Sequence, residues 1–152
     1  MCGVVGIIST HKPVAGELYD SLIHLQHRGQ DAAGIMTYNQ RFHVKKGTGL
    51  IRDIFDEQNM ARLQGNIGIG HTRYPTVGGF SVEEAQPVMT HVPYGIAMAH
   101  NGNLVNYSEL VHEVSSQDHR HINSSVDVEV VLHIFAHALD HPNLDISELP
   151  FF

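Results

Sequence analysis

The 152-residue chain predicts an α+β fold with antiparallel sheet, and three observations carry that expectation. Short apolar runs of strand length fill its earlier part, and stretches of helical period lie between and after them. Successive strands also sit too close for parallel crossovers, which need about a dozen residues or more.

Val4 to Ile8 is an apolar run bounded by Ser9 and Pro13, and it reads as a buried strand. From about Val14, Leu18, Leu22 and Leu25 recur at helical spacing with Tyr19 and Ile23 beside them, and Gly29 suits the stop of that helix. Ala33 to Tyr38 and Arg41 to Lys45 flank Asn39-Gln40 as a hairpin. Phe55 to Leu63 is expected to be a short helix, and Asn66 to Tyr74, where Ile67 and Ile69 alternate with glycines, a strand. The stretch PTVGGFSVEEAQP is rich in turn formers, so a mobile loop is expected there. Tyr94 to Ala99 is a further strand running into His100-Asn101-Gly102-Asn103, a tight turn. Asn106 or Ser108 caps a helix reaching about Val114. The last helix starts near Ser124 or Ser125 and carries Val128, Val131, Leu132, Phe135 and Leu139 on one face. The chain contains no internal repeat and no low-complexity segment.

A hydrophobic content of 42% fits one ordinary globular domain. No stretch approaches the roughly 20 apolar residues of a membrane span, and the first residues lack the basic flank and apolar centre of a signal peptide. The cytoplasm is the expected compartment, in keeping with a single cysteine that cannot close an internal disulfide. The formal charge of −7, with Lys and Arg scattered, argues against a nucleic-acid footprint and for a small-molecule partner.

Four positions carry candidate chemistry, each with a plainer alternative. Cys2 would bear both a thiol and a free α-amine once Met1 is removed, and an amine of pKa about 7.7–8.0 can take a proton from a thiol of about 8.5. The plainer alternative is a small residue buried at a strand start. Asn101 and the Gly102 N–H could stabilise an oxyanion at a strand end, or could merely form a turn. Arg73 could hold a carboxylate beside a closing loop, or lie exposed. Asp127 could bind an ammonium group, or complement the dipole of the last helix with Ser124 as its cap. Were Arg73 and Asp127 to face one pocket, they would grip the two ends of a free amino acid. Thirteen histidines raise a metal alternative, with His133, His137 and His141 spaced four apart. They fall opposite the apolar face and are expected to meet water, and no Glu completes an HExxH pattern. No P-loop, GxGxxG after a strand or GxSxG is present.

Taken in order, MCGVVGI, LQHRGQDAAGI, GIGHTRYPTVGG, EAQP, AHNGNL and RHINSSVDVEV resemble the glutaminase domain of class II glutamine amidotransferases. Gln30-Asp31-Ala32-Ala33 and Arg73-Tyr74-Pro75-Thr76 resemble the amidophosphoribosyltransferases within that class. Hexosamine-forming relatives usually show Tyr-Asp-Ser after HRG and a tryptophan after the loop arginine, and this chain has no tryptophan. The resemblance implies an N-terminal-nucleophile αββα sandwich and hydrolysis of glutamine to glutamate and ammonia, the ammonia serving phosphoribosylamine formation in purine synthesis. It implies Cys2 as nucleophile, Asn101 and Gly102 as oxyanion donors, Arg73 on the α-carboxylate, Asp127 on the α-ammonium, and Thr76 in the loop that closes over the substrate. It further implies that residues 1–152 are the N-terminal portion of the domain. More strands and a phosphoribosyl-transferring domain would follow Phe152, so the sandwich is expected to be incomplete. No cofactor is expected in this portion, magnesium is expected only in the transferase domain, and the full-length enzyme is expected to be a homo-oligomer. A non-catalytic module of the same fold, or the glutaminase domain of a hexosamine-forming enzyme, stands as the alternative.

Overall fold

The computed structural model describes residues 1–74, 81–117 and 121–140. The described residues form six strands, β1 (Gly3–Ile8), β2 (Ala32–Asn39), β3 (Arg41–Thr48), β4 (Ile67–Arg73), β5 (Val88–Thr90) and β6 (Ile96–Met98), and five α-helices. The helices are α1 (Ala15–Leu25), α2 (Ile51–Ile54), α3 (Glu57–Met60), α4 (Tyr107–Gln117) and α5 (Asp127–Leu139). All pairings are antiparallel: β1-β4-β2-β3 form one sheet, and β5 and β6 form a second. This is the mixed helix and antiparallel-sheet fold expected from the sequence, with a second sheet too small to close the sandwich.

One face of the larger sheet is covered by α1. Leu18 and Leu22, both fully buried, pack with Ala33 and Ile35 of β2 and the partly buried Val5 and Ile7 of β1. They come this close because β4 offers bare backbone. A Cβ on Gly68 would lie 2.7 Å from the Leu18 side chain, and one on Gly70 would lie 3.0 Å from Leu22. The alternating glycines of β4 are thus the socket for the α1 leucines. On the second sheet, Val88 packs with Val126, Val128 and Leu132 of the α5 region, with Ile96 and Met98 against them. Burial of these apolar surfaces from water is the main force joining each helix to its sheet.

Several boundaries differ from expectation. Gly29 follows a 3-10 turn at Gln26–Arg28 and is extended, with φ −168°, so it is no left-handed cap. Its missing side chain serves close approach instead, since a Cβ there would sit 2.6 Å from the Arg73 carbonyl carbon. Of the expected helix at 55–63 only the short α3 is helical; a separate turn, α2, precedes it with the buried Phe55 between them, and Asp56 and Asn59 form a capping box at α3. Strand β5 had no counterpart in the sequence reading. Helix α5 begins at Asp127 with no side-chain cap, later than expected, because the Ser124 hydroxyl is bonded to the Glu129 carboxylate. Its buried face is Val128, Leu132 and Ala136, and Phe135 is turned outward, 47% exposed. Among the described residues no helix is long and apolar enough to cross a membrane.

Candidate active site

Cys2 lies immediately before β1, which places it at the end of the larger sheet where β4 finishes in Arg73. Gly3 pairs with Thr72, and the Gly3 N–H donates to Thr72 Oγ1 at 3.1 Å. A Cβ on Gly3 would meet that oxygen at 2.7 Å and Leu25 Cβ at 3.0 Å. The glycine is therefore required by packing on the α1 side, away from the thiol. Cys2 itself is partly exposed, not buried as its plainer reading required. Its carbonyl accepts from Arg28 Nε at 3.0 Å, its Sγ lies 3.9 Å from the Tyr74 carbonyl, and its N–H donates to Asn101 Oδ1 at 3.2 Å. That last bond joins residues 99 apart in sequence and fixes the turn after β6 against the cysteine.

The turn is held from three further sides. The His100 N–H donates to Gln86 Oε1 at 2.7 Å, and the His100 carbonyl lies 3.2 Å from His71 Nε2. Asp127, at the first position of α5, accepts from the Leu104 N–H at 2.9 Å and sits 3.4 Å from His100 Nδ1. Asp127 therefore does more than offset a helix dipole, since its carboxylate ties α5 to the turn. Gly102 admits no side chain, because a Cβ would come 2.4 Å from the His100 ring. His71 is fully buried, and burial, the largest influence, lowers its pKa to about 4. It is neutral at pH 7, and facing a carbonyl, Nε2 is the protonated nitrogen.

Arg73 is 7% exposed, which removes its reading as an exposed loop residue. Its Nη2 donates to Glu84 Oε2 at 2.9 Å within the site wall. Residues 84–86 were expected in a mobile surface loop, yet Glu84, Ala85 and Gln86 are all buried. A second carboxylate, Glu129, accepts from the backbone N–H groups of Asn123 and Ser124 at 2.9 and 2.8 Å. Burial works to raise its pKa, but the hydrogen bonds from Ser124 and Asn123 outweigh it and leave the carboxyl below its usual value.

Cys2, Arg73, Gly102 and Asp127 line one pocket of about 260 Å³, together with Tyr74, Gln86, His100, Asn103, Tyr107, Ser125 and Val126. Asn101 borders it through its bond to Cys2. Five of the six residues singled out from the sequence are thus brought together from four separated segments; the sixth, Thr76, lies outside the described residues. Sequence reasoning missed Arg28, His71, Glu84 and Gln86, whose significance comes from partners distant in the chain. Among the described residues no group of three or more His, Cys, Asp or Glu is placed to hold a metal ion. His133, expected to face water, is partly buried with Nε2 4.0 Å from Glu129 Oε1; His141 lies outside the described residues.

The chain is 52% identical to the amidophosphoribosyltransferase of Escherichia coli (strain K12) over 93% of its length, and 49% identical to that of Saccharomyces cerevisiae over 94%. It covers 28% and 29% of those proteins, so it spans less than a third of the relatives it matches. A solved structure of glutamine phosphoribosylpyrophosphate amidotransferase from B. subtilis superposes with a TM-score of 0.81 at 31% identity, over 97% of this chain and 31% of that one. The family model described as the glutamine amidotransferase domain matches residues 54–141, more than half of the chain, with the turn at Asn101 and the pocket residues Arg73 and Asp127 inside the matched span. The chain belongs to the glutamine amidotransferase domain family.

Proposed function

We propose that the pocket hydrolyses the side-chain amide of glutamine through a thioester on Cys2. The observation that carries this reading is the convergence of a thiol, a guanidinium, a carboxylate and a glycine turn on one pocket of about 260 Å³, a size suited to a free amino acid. Arg73 and Asp127 present opposite charges to the α-carboxylate and α-ammonium of the substrate, leaving its side chain to run toward Cys2.

With Cys2 as the N-terminal residue, its α-amine takes the thiol proton as Sγ attacks the amide carbon. While Met1 is attached, that nitrogen is a peptide amide and cannot act as the base. Asn101 Oδ1 is occupied by the Cys2 nitrogen, so its Nδ2 is the end that can meet the developing oxyanion, together with the Gly102 N–H. The amine returns its proton to the departing nitrogen, ammonia leaves, and water then cleaves the thioester to glutamate. Thr76 belongs to the segment that would close over the bound substrate. The ammonia would pass to a phosphoribosyl-transferring domain for phosphoribosylamine formation in purine synthesis. Identities of about one half to amidophosphoribosyltransferases support that assignment over a hexosamine-forming one.

The test is glutamate release from glutamine by protein whose N-terminal Cys2 is verified by mass spectrometry. Cys2→Ala should reduce release by about a thousandfold or more, as loss of a covalent nucleophile does. Turnover that persists in Cys2→Ala would overturn the mechanism.

A further inference from the structure

Glu84 is 6% exposed, and every contact of its carboxylate points to one task. Oε2 accepts from Arg73 Nη2 at 2.9 Å, while Oε1 accepts from the Ser125 N–H at 3.0 Å and from the Ser125 hydroxyl. One carboxylate thus joins the end of β4, 11 positions before it, to Ser125, 41 positions after it and two before Asp127. The segment around it is held separately. The Glu84 N–H donates to the Ser81 carbonyl at 3.2 Å, Lys46 Nζ donates to the Ala85 carbonyl at 2.6 Å, and the Gln86 side-chain Oε1 accepts from the His100 N–H. The carboxylate is therefore a fixed post with bonds on both oxygens. A buried ion pair is a poor way to gain stability when an apolar pair could fill the same space, so a carboxylate placed behind the pocket wall, on the lining residues Arg73 and Ser125, calls for another reason.

We propose that Glu84 is the positioning residue of the amino-acid clamp: it sets the separation and orientation of Arg73 and Asp127, and with them the fit for an α-amino acid. The assignment rests on the glutaminase reading above. In Glu84→Gln, the amide nitrogen must face either Arg73 or Ser125, both donors, so one of the two arms is released. Glu84→Asp keeps the charge but is one methylene too short to reach both at once.

The experiment compares the KM for L-glutamine, kcat, and discrimination between L-glutamine and its α-carboxamide, L-glutaminamide, in protein carrying a free N-terminal Cys2. Loss of a charged hydrogen bond predicts that Glu84→Gln raises the KM for glutamine by about tenfold or more, with a smaller change in kcat. Discrimination against glutaminamide should shrink in parallel, and Glu84→Asp should fall between wild type and Glu84→Gln. Equal loss of turnover on both substrates with a lowered Tm would show a structural role only and overturn the proposal, as would an unshifted KM. Should Glu84→Gln fail to fold, Ser125→Ala, which removes one donor from the same carboxylate, must shift discrimination in the same direction by about threefold, and no shift there overturns it. A wild-type protein that releases no glutamate overturns the glutaminase reading and this assignment together, whereas active wild type with unchanged discrimination in the variants overturns the assignment alone.

Discussion

Four rows of side chains cross the face of the larger sheet that looks toward β5 and β6, and the two ends of that face differ in kind. At one end Arg73, Ala32 and Thr48 lie side by side, with Cys2 just beyond the Gly3 and Thr72 pair. The next row is Val4, His71, Gly34 and Lys46, followed by Gly6, Ile69, Met36 and Val44. The far row is Ile8, Ile67, Tyr38 and Phe42, wholly apolar. Near Cys2 the polar groups find partners on segments far away in sequence, as Arg73 does with Glu84, His71 with His100, and Lys46 with Ala85. At the far end Ile8 is 76% exposed and Ile67 and Tyr38 are more than 40% exposed, beside a cleft of about 350 Å³ lined by Met36, Phe42, Ile69 and Ala97. One sheet therefore supports a precise polar site where hydrogen bonds between separated segments fix Arg73, His71 and Lys46. Where only apolar area is offered, contacts are left open, because burial is non-directional and needs a covering surface to act.

The contrast breaks most severely at Gly34. A Cβ there would lie 2.2 Å from the Gln86 carbonyl oxygen and 2.9 Å from Lys46 Cβ, so the segment bearing Glu84 and Gln86 rests directly on this glycine. Gly34→Val should push that segment off the sheet. Overpacking predicts destabilisation of about 3 kcal/mol or more in chemical denaturation. Displacing the clamp and the turn by about 1 Å predicts a loss of glutamine turnover of about a hundredfold. Native-like turnover in Gly34→Val would show that the 84–87 segment does not position the site.

His71 sharpens the comparison from the polar end through pH. Its pKa falls from 6.5 to about 4 on folding, chiefly through burial, so the unfolded chain binds a proton that the folded chain refuses between those values. The stability it supports is complete above pH 6.5 and is lost as pH falls toward about 4, by roughly 3 kcal/mol at 1.36 kcal/mol per pKa unit. Denaturation midpoints of wild type should therefore decline across that window. His71→Gln, which can still donate to the His100 carbonyl but does not titrate, should decline less. Parallel curves for the two proteins would remove His71 as the cause.

How far this was legible in the sequence follows the same division. Strand β1, helix α1, the β2-β3 hairpin and β4 are visible because local periodicity and turn residues encode them, whichever strand they pair with. Cys2, Arg73, Asn101, Gly102 and Asp127 stood out as candidates because the residue type itself carries chemistry, though each had a plainer alternative until motif order was added. Glu84, Gln86 and His71 did not, since a carboxylate or an imidazole gains its role from a partner that only the fold supplies. Phe135 and the start of α5 were misjudged for a related reason. Helical period fixes spacing, but the rotation of the buried face was decided by β5, a three-residue strand with too little pattern to announce itself.

The smallest expected effect on the folded unit, and the one that isolates the apolar end, comes from paired changes at its open row. Ile8 sits on the edge strand β1 and Ile67 next to it on β4, with the side chains of both substantially in water. Apolar patches of this kind on a sheet edge promote association between chains. Ile8→Lys with Ile67→Thr should lower self-association of this 152-residue chain in sedimentation velocity. Stability should stay within about 0.5 kcal/mol, since these are exposed positions and Thr suits a strand. Glutamine turnover should change by less than about twofold, because neither residue touches the pocket. An unchanged sedimentation profile would place the sticking surface at other exposed apolar residues, such as Val92 and Val105, which are 61% and 99% exposed. A loss of turnover would instead show that the two ends of the sheet are coupled, and that the apolar row steadies the strands on which Cys2 and Arg73 are carried.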